Sequence, residues 1–208
     1  MYTFACFIIL RMSNLNHRYD VAEVRDEDST NFLFFSAGKN REVEVPKIIQ
    51  FTYIKDYNNS PIYNLGFGDY DMNTGLINDE SISDNGDVYR VFNTVLSSIP
   101  LFLEKYPNAA LLVRGSDGRG EFEYNCKQNC IRKCVDLCHN FNRRMRLYCN
   151  YVSRKQGLLR AEYQFFGGYS NDVGWFDFAE FSPGKLYECI IVSRKCVNLL
   201  YEAKRNKI

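Results

Sequence analysis

The stretch Val88-Tyr-Arg-Val-Phe-Asn-Thr-Val-Leu-Ser-Ser-Ile-Pro-Leu-Phe-Leu103, with Ala109-Ala-Leu-Leu-Val113 behind it, decides the class of fold. In the first part Val88, Val91, Phe92, Val95, Ile99, Phe102 and Leu103 recur at helical spacing. Ser83-Asp84-Asn85-Gly86-Asp87 opens it. Asp84 or Asn85 can cap the helix, and Asp87 falls in the first turn, where the dipole favours a carboxylate. Pro100 predicts a kink or a split, and Pro107-Asn108 the end. Ala109–Val113 is a short continuous apolar run, as expected of a strand covered on both faces.

Working outward, Tyr19–Val24 and Asn31–Phe35 are strand-like, with the acidic turn Asp26–Ser29 between them. A β-rich run follows over 43–54, where Pro46 predicts an edge position or a break. Ile62–Phe67 is a further short strand. On the other side, Arg143 to about Tyr163 predicts a second helix. Tyr163–Phe166 and Lys185–Val192 are closing strands, separated by a Gly- and Asp-rich loop that holds Trp175. Strands, helix, strand, helix and two strands make an α+β domain with a twisted, mostly antiparallel sheet and two main helices. The domain is expected over 19–195, with a Cys-rich insertion at 117–142. Residues 1–18 form an N-terminal segment of unsettled role, with Met12 an alternative start. Residues 196–208 form a basic tail.

With 208 residues, 46% hydrophobic and 25% charged, the chain is expected to fold rather than to be disordered or a coiled coil. The apolar run at the N-terminus spans about ten residues, against roughly 20 for a membrane helix. It has no basic residues before it and no small-residue cleavage site after it, so a cytoplasmic location with reduced thiols is expected, and no membrane partner. The net charge of +1 gives no bulk attraction to nucleic acid. It hides an asymmetry. Residues 1–100 hold 8 Lys and Arg against 14 Asp and Glu, a net −6, while 101–208 hold 18 against 11, a net +7. Such halves fit internal complementarity, self-association or a protein partner of opposite charge.

Three segments carry a resemblance. They are Tyr63–Asp69 with Ile82–Asp87, Tyr106-Pro107 leading into Val113–Ser116, and Asn142–Tyr148 with Tyr163–Gly168. Together they resemble an uncharacterised family, a domain of unknown function, of small bacterial proteins found mainly in Bacteroidetes-type genomes. The match covers roughly 19–195 and implies no reaction. The element order is also similar to the later part of the Gcn5-related N-acetyltransferase fold. That similarity implies an acetyl-coenzyme A site at the turn opening the first helix.

In that fold backbone N–H groups of a Gln/Arg-x-x-Gly-x-Gly/Ala turn face the pyrophosphate. This chain offers Asn85, Gly86 and Asp87 there, with one glycine and the carboxylates of Asp84 and Asp87 to repel an anion. Capping is the favoured reading, and an acetyl-coenzyme A-dependent acyltransferase of decayed signature the alternative. Asp69-x-Asp71-x-Asn73-x-Gly75 is calcium-loop-like, but its glycine is one place late and no helix precedes it. A solvated hairpin loop is favoured.

Cys126, Cys130, Cys134 and Cys138 recur every four residues, with His139 adjoining. On one continuous helix the first and last would stand about 18 Å apart, so a single zinc needs a bend near 131–133. A packed thiol stripe is favoured, with zinc second and redox chemistry third. Arg143, Arg144, Arg146 and Arg154 make the second helix basic. Tyr148, Tyr151 and Tyr163 interleave with them, as for phosphate contact and base stacking. A solvated helix face is the bland alternative. The reading is therefore a non-catalytic binding or interaction domain. The acyltransferase stands second and a nucleic-acid-associated accessory protein third, with Arg143, Arg144, Arg146, Tyr148 and Arg154 the residues for nucleic acid or an acidic partner.

Overall fold

The computed structural model describes residues 17–26, 28–37, 44–78, 86–118, 120–129, 134 and 138–197. Met12, Asn85, Cys130 and the tail beyond 197 lie outside them. The elements are β1 (Ala22–Arg25), β2 (Ser29–Ala37), β3 (Glu44–Tyr57), β4 (Ser60–Tyr70), β5 (Ile77–Asn78), α1 (Val88–Lys105), β6 (Ala110–Arg114), α2 (Gly120–Asn129), α3 (Arg143–Leu159), β7 (Tyr163–Ser170), β8 (Phe176–Glu180) and β9 (Cys189–Arg194). The fold is α+β. A nine-stranded, largely antiparallel sheet has neighbours in the order β1-β2-β3-β4-β6-β9-β7-β8, and β5 adds to β4. Only β4 and β6 among the ladders described run parallel, through Ile62–Asn64 and Ala110–Leu112. No described helix is long and apolar enough to cross a membrane.

The chain divides into two compact units. The first comprises 1–53 and 66–107. In it β2 lies antiparallel between β1 and β3. Phe32, Phe34, Ile49 and Phe51 alternate onto one buried face of this ladder. Helix α1 covers that face, because Val91, Val95, Ile99, Phe102 and Leu103 form its apolar stripe. Phe51 and Phe102 stack with centroids 4.2 Å apart. Pro100 sits within a helix that runs unbroken to Lys105, so the expected split does not occur. Pro46 pairs with Phe35 inside a central strand, not an edge one. It is the third residue of β3, close to the strand's start, where a missing ladder donor is best tolerated.

The second unit comprises 54–65 and 108–208. Its sheet runs β6-β9-β7-β8 beside the first half of β4. Ile62, Ala110, Leu112, Phe166, Phe176, Cys189, Ile191 and Val197 form one core cluster. The run Ala109–Leu112 is buried, as its composition predicts. Strand β8 occupies the Gly- and Asp-rich loop of the sequence reading, hairpinned to β7. Gly167 and Gly168 let Tyr187 and Cys189 pack against the β7 backbone. A Cβ on Gly167 would stand 2.0 Å from the Tyr187 ring, and one on Gly168 would stand 2.5 Å from the Cys189 sulfur.

Candidate functional site

At the start of α1, in the first unit, Asp87 is the N-cap residue. Its carbonyl accepts the N–H groups of Arg90 and Val91. Its side chain makes no cap bond. The carboxylate instead accepts hydrogen bonds from the Tyr19 hydroxyl at 2.7 Å and the Ser36 hydroxyl at 2.6 Å. Tyr19 stacks on Phe34, and the Arg90 guanidinium lies over its ring. Burial, then the bond to Asp87, raises the Tyr19 pKa. Gly86 has φ +68, a conformation that suits glycine. The turn thus clasps the segment at 17–19 and the end of β2 to the helix. An incoming pyrophosphate would meet the fixed negative charge of Asp87.

In the first unit's hairpin between β4 and β5, Asp71 folds its carboxylate onto the N–H groups of Asn73 and Thr74. Those bonds lower its pKa. Gly75, at φ +70, donates its N–H to the Asp71 carbonyl. Among the described residues no group of three His, Cys, Asp or Glu side chains could hold a metal ion.

In the second unit the cysteine-rich segment does not form one helix. Helix α2 is described as far as Asn129, Cys134 and Cys138 are not helical, and the Cys138 sulfur lies 3.3 Å from that of Cys126. Cys126 is half-buried and Cys138 buried. Asn140 Nδ2 is 3.8 Å from the Cys126 sulfur, and the His139 N–H points at Cys134 at 3.5 Å. The structure brings together the first and last of the four positions, twelve residues apart. Cys149 and Cys189, elsewhere in this unit, are buried thiols. Burial raises both pKa values, that of Cys189 to about 12, so they stay protonated.

Helix α3 begins where Asn142 takes a left-handed conformation, φ 56, and makes no side-chain cap bond. The cap comes from elsewhere in the chain. Asp117, in the turn after β6, accepts the Arg144 N–H on Oδ2 at 2.8 Å. Its carbonyl accepts the Asn142 N–H. Gly115 permits this approach, since a Cβ there would meet Asp117 Oδ1 at 2.8 Å and Arg144 Cβ at 3.1 Å. The sequence reading missed Asp117, because its partner lies 27 residues on.

The arginines of α3 divide by role. Arg144 donates to the Ser116 hydroxyl and Arg146 to the His139 carbonyl, both back toward the helix start. Arg143, Leu147, Asn150, Arg154 and Leu158 are exposed, at spacings that make one outward stripe. Tyr151 and Tyr163 are buried and Tyr148 is half-buried. The aromatic rings that suggested base stacking are therefore not laid out on that stripe.

Comparison with curated proteins and with solved structures gives no match. A protein-family model does match, over residues 15–129, more than half of the chain. It spans Tyr63–Asp69, Ile82–Asp87 and Val113–Ser116, while Asn142–Tyr148 lies beyond it. The chain thus belongs to a family of unknown function, DUF6934.

Proposed function

We propose that the protein is a non-catalytic binding protein that takes an acidic protein partner on the outward stripe of α3. The observation that carries this reading is the charge of that helix. Its seventeen residues hold Arg143, Arg144, Arg146, Arg154 and Lys155 and no Asp or Glu. Three of the five stand in or next to the first turn, where the helix dipole is positive and each added cation is unfavourable by about 0.3–1 kcal/mol. Arg143 is the one of these three on the outward stripe, where an anionic partner would lie beside it and beside Arg154. Leu147, exposed between Arg143 and Arg154, and Leu158, exposed one turn beyond Arg154, favour an amphipathic protein surface over a bare phosphate backbone.

The test is fluorescence anisotropy with two labelled probes, a Glu-rich amphipathic helical peptide and a single-stranded RNA of about 20 nucleotides, a length above one binding site. The peptide is expected to bind more weakly as salt rises. The paired changes Arg143→Glu and Arg154→Glu should weaken it by about tenfold or more, and Leu147→Ser should also weaken it. Tighter binding of the RNA, or peptide affinity unmoved by the charge reversal, would overturn the reading.

A second reading is an acyltransferase-like enzyme using acetyl-coenzyme A. What supports it is the strand order: β4 leads through α1 to parallel β6, and β9 inserts between β6 and β7. Against it stands the Asp87 carboxylate at the helix start. A rise in melting temperature with millimolar acetyl-coenzyme A, lost in Gly86→Val, would favour the enzyme.

A further inference from the structure

We infer that Cys126 and Cys138 are a redox pair, which closes to a disulfide by exchange with a low-molecular-weight disulfide. Twelve residues separate them, yet their sulfurs lie 3.3 Å apart. A disulfide requires about 2.05 Å, so the sulfurs need approach by only about 1.3 Å. The two thiols differ in access. Cys126, half-buried on α2, is the one a small reagent reaches, and Cys138 is buried beside it. Zinc is the competing use of such a pair, but it calls for four ligands. Among the described residues no third His, Cys, Asp or Glu converges on the two sulfurs, and Cys134 faces the His139 N–H instead.

The chemistry balances without a metal. Cys126, deprotonated, attacks one sulfur of the small disulfide. That S–S bond breaks, one half leaves as a thiolate, and a mixed disulfide remains on Cys126. Cys138 gives up its proton and attacks the Cys126 sulfur, which expels the second small thiolate. Two protein thiols are oxidised to one disulfide, one small disulfide is reduced to two thiols, and the two protons end on those thiols. The bond ties α2 to the turn before α3. In that turn the Phe141 N–H donates to the Cys138 carbonyl, the Arg143 N–H to the Asn140 carbonyl, and Arg146 to the His139 carbonyl. Closure therefore fixes the turn from which the basic helix starts.

The test uses the full chain, purified without chelator, reduced, desalted and equilibrated with oxidised and reduced glutathione. After alkylation, peptide mapping is expected to find Cys126 joined to Cys138. Cys126→Ser and Cys138→Ser should each abolish the link, while Cys134→Ser and Cys196→Ser leave it intact, with melting curves confirming that each variant folds. Native trypsin cleavage after Lys127 offers a second readout. Once denatured without reductant, the fragments should stay joined, and they should separate when reductant is added. Glutathione adducts alone, a different pairing, or one bound zinc that shields these thiols from alkylation would overturn the inference.

Discussion

Gly167 shows how one missing methyl group can hold a structure. The Tyr187 ring lies where a Cβ would stand, is 2% exposed, and its hydroxyl accepts the Ser182 N–H at 2.9 Å. The ring cannot swing aside without breaking that bond. Gly167→Ala is expected to destabilise the fold by about 3 kcal/mol, the upper range for an overpacked core. Chemical denaturation checks it, and a variant as stable as the parent would contradict this packing. The sequence reading took in Gly167 only as part of the segment Tyr163–Gly168 and had no means of seeing this packing. The reason is a ring twenty residues along the chain, and periodicity carries no such information. Asp87 is similar. Its place at a helix start was legible, but its bonds to Tyr19 and Ser36 were not, because their partners lie 68 and 51 residues away.

Among the elements, α1 and α3 were legible because an apolar stripe at helical spacing survives in the sequence whatever lies opposite. Strand β8 was not. Its Phe176-Asp-Phe-Ala-Glu180 alternation is five residues long and sits between turn formers that dominate the local composition. The hairpin joining β3 to β4 carries its signal in Asn58 and Asn59, both left-handed with φ 50 and 60. Asparagine tolerates that conformation, which two-residue hairpin turns demand. The start of α3 gives the test at this scale. Asp117 supplies the carboxylate that Asn142 does not, so Asp117→Ala is expected to remove about 1–2 kcal/mol, as for loss of a cap. Asp117→Asn should recover part of it through its remaining amide oxygen. Helix content and the denaturation midpoint measure both. Equal stability of parent and alanine variant would mean that α3 needs no outside cap.

The whole molecule answers to alkaline pH. Burial raises Cys189 from 9.0 and Tyr151 from 10.0 to about 12 each, and Tyr19 is raised as well. Each of these groups is neutral when protonated, so the folded state holds its proton more tightly than the unfolded chain does. Their stabilising contribution is complete below pH 9 and is lost as pH rises toward 12. The melting temperature is expected to stay level up to about pH 9 and then fall steadily. Tyr151→Phe should soften the fall above about pH 10, the ordinary tyrosine range. A level profile through pH 11 would contradict it. The charge asymmetry between residues 1–100 and 101–208 was legible from composition alone. Which of the α3 arginines face outward needed the structure, which separates Arg143 and Arg154 from Arg144 and Arg146.

The interleaving of the two units constrains how the chain can be cut. The first unit takes 1–53 and 66–107, and the second takes 54–65 together with everything from 108 onward. No single break in the chain yields either unit alone: a cut after Pro107 leaves the first unit carrying 54–65 of the second. A fragment ending at Pro107 would keep Ile62–Asn64 but lose Ala110–Leu112, the strand beside them. Ile62, fully buried in the intact chain, would lie along an unpaired edge of the kind that recruits other strands. Such a fragment should aggregate on expression, and a soluble, cooperatively melting one would argue that the first unit folds without its neighbour.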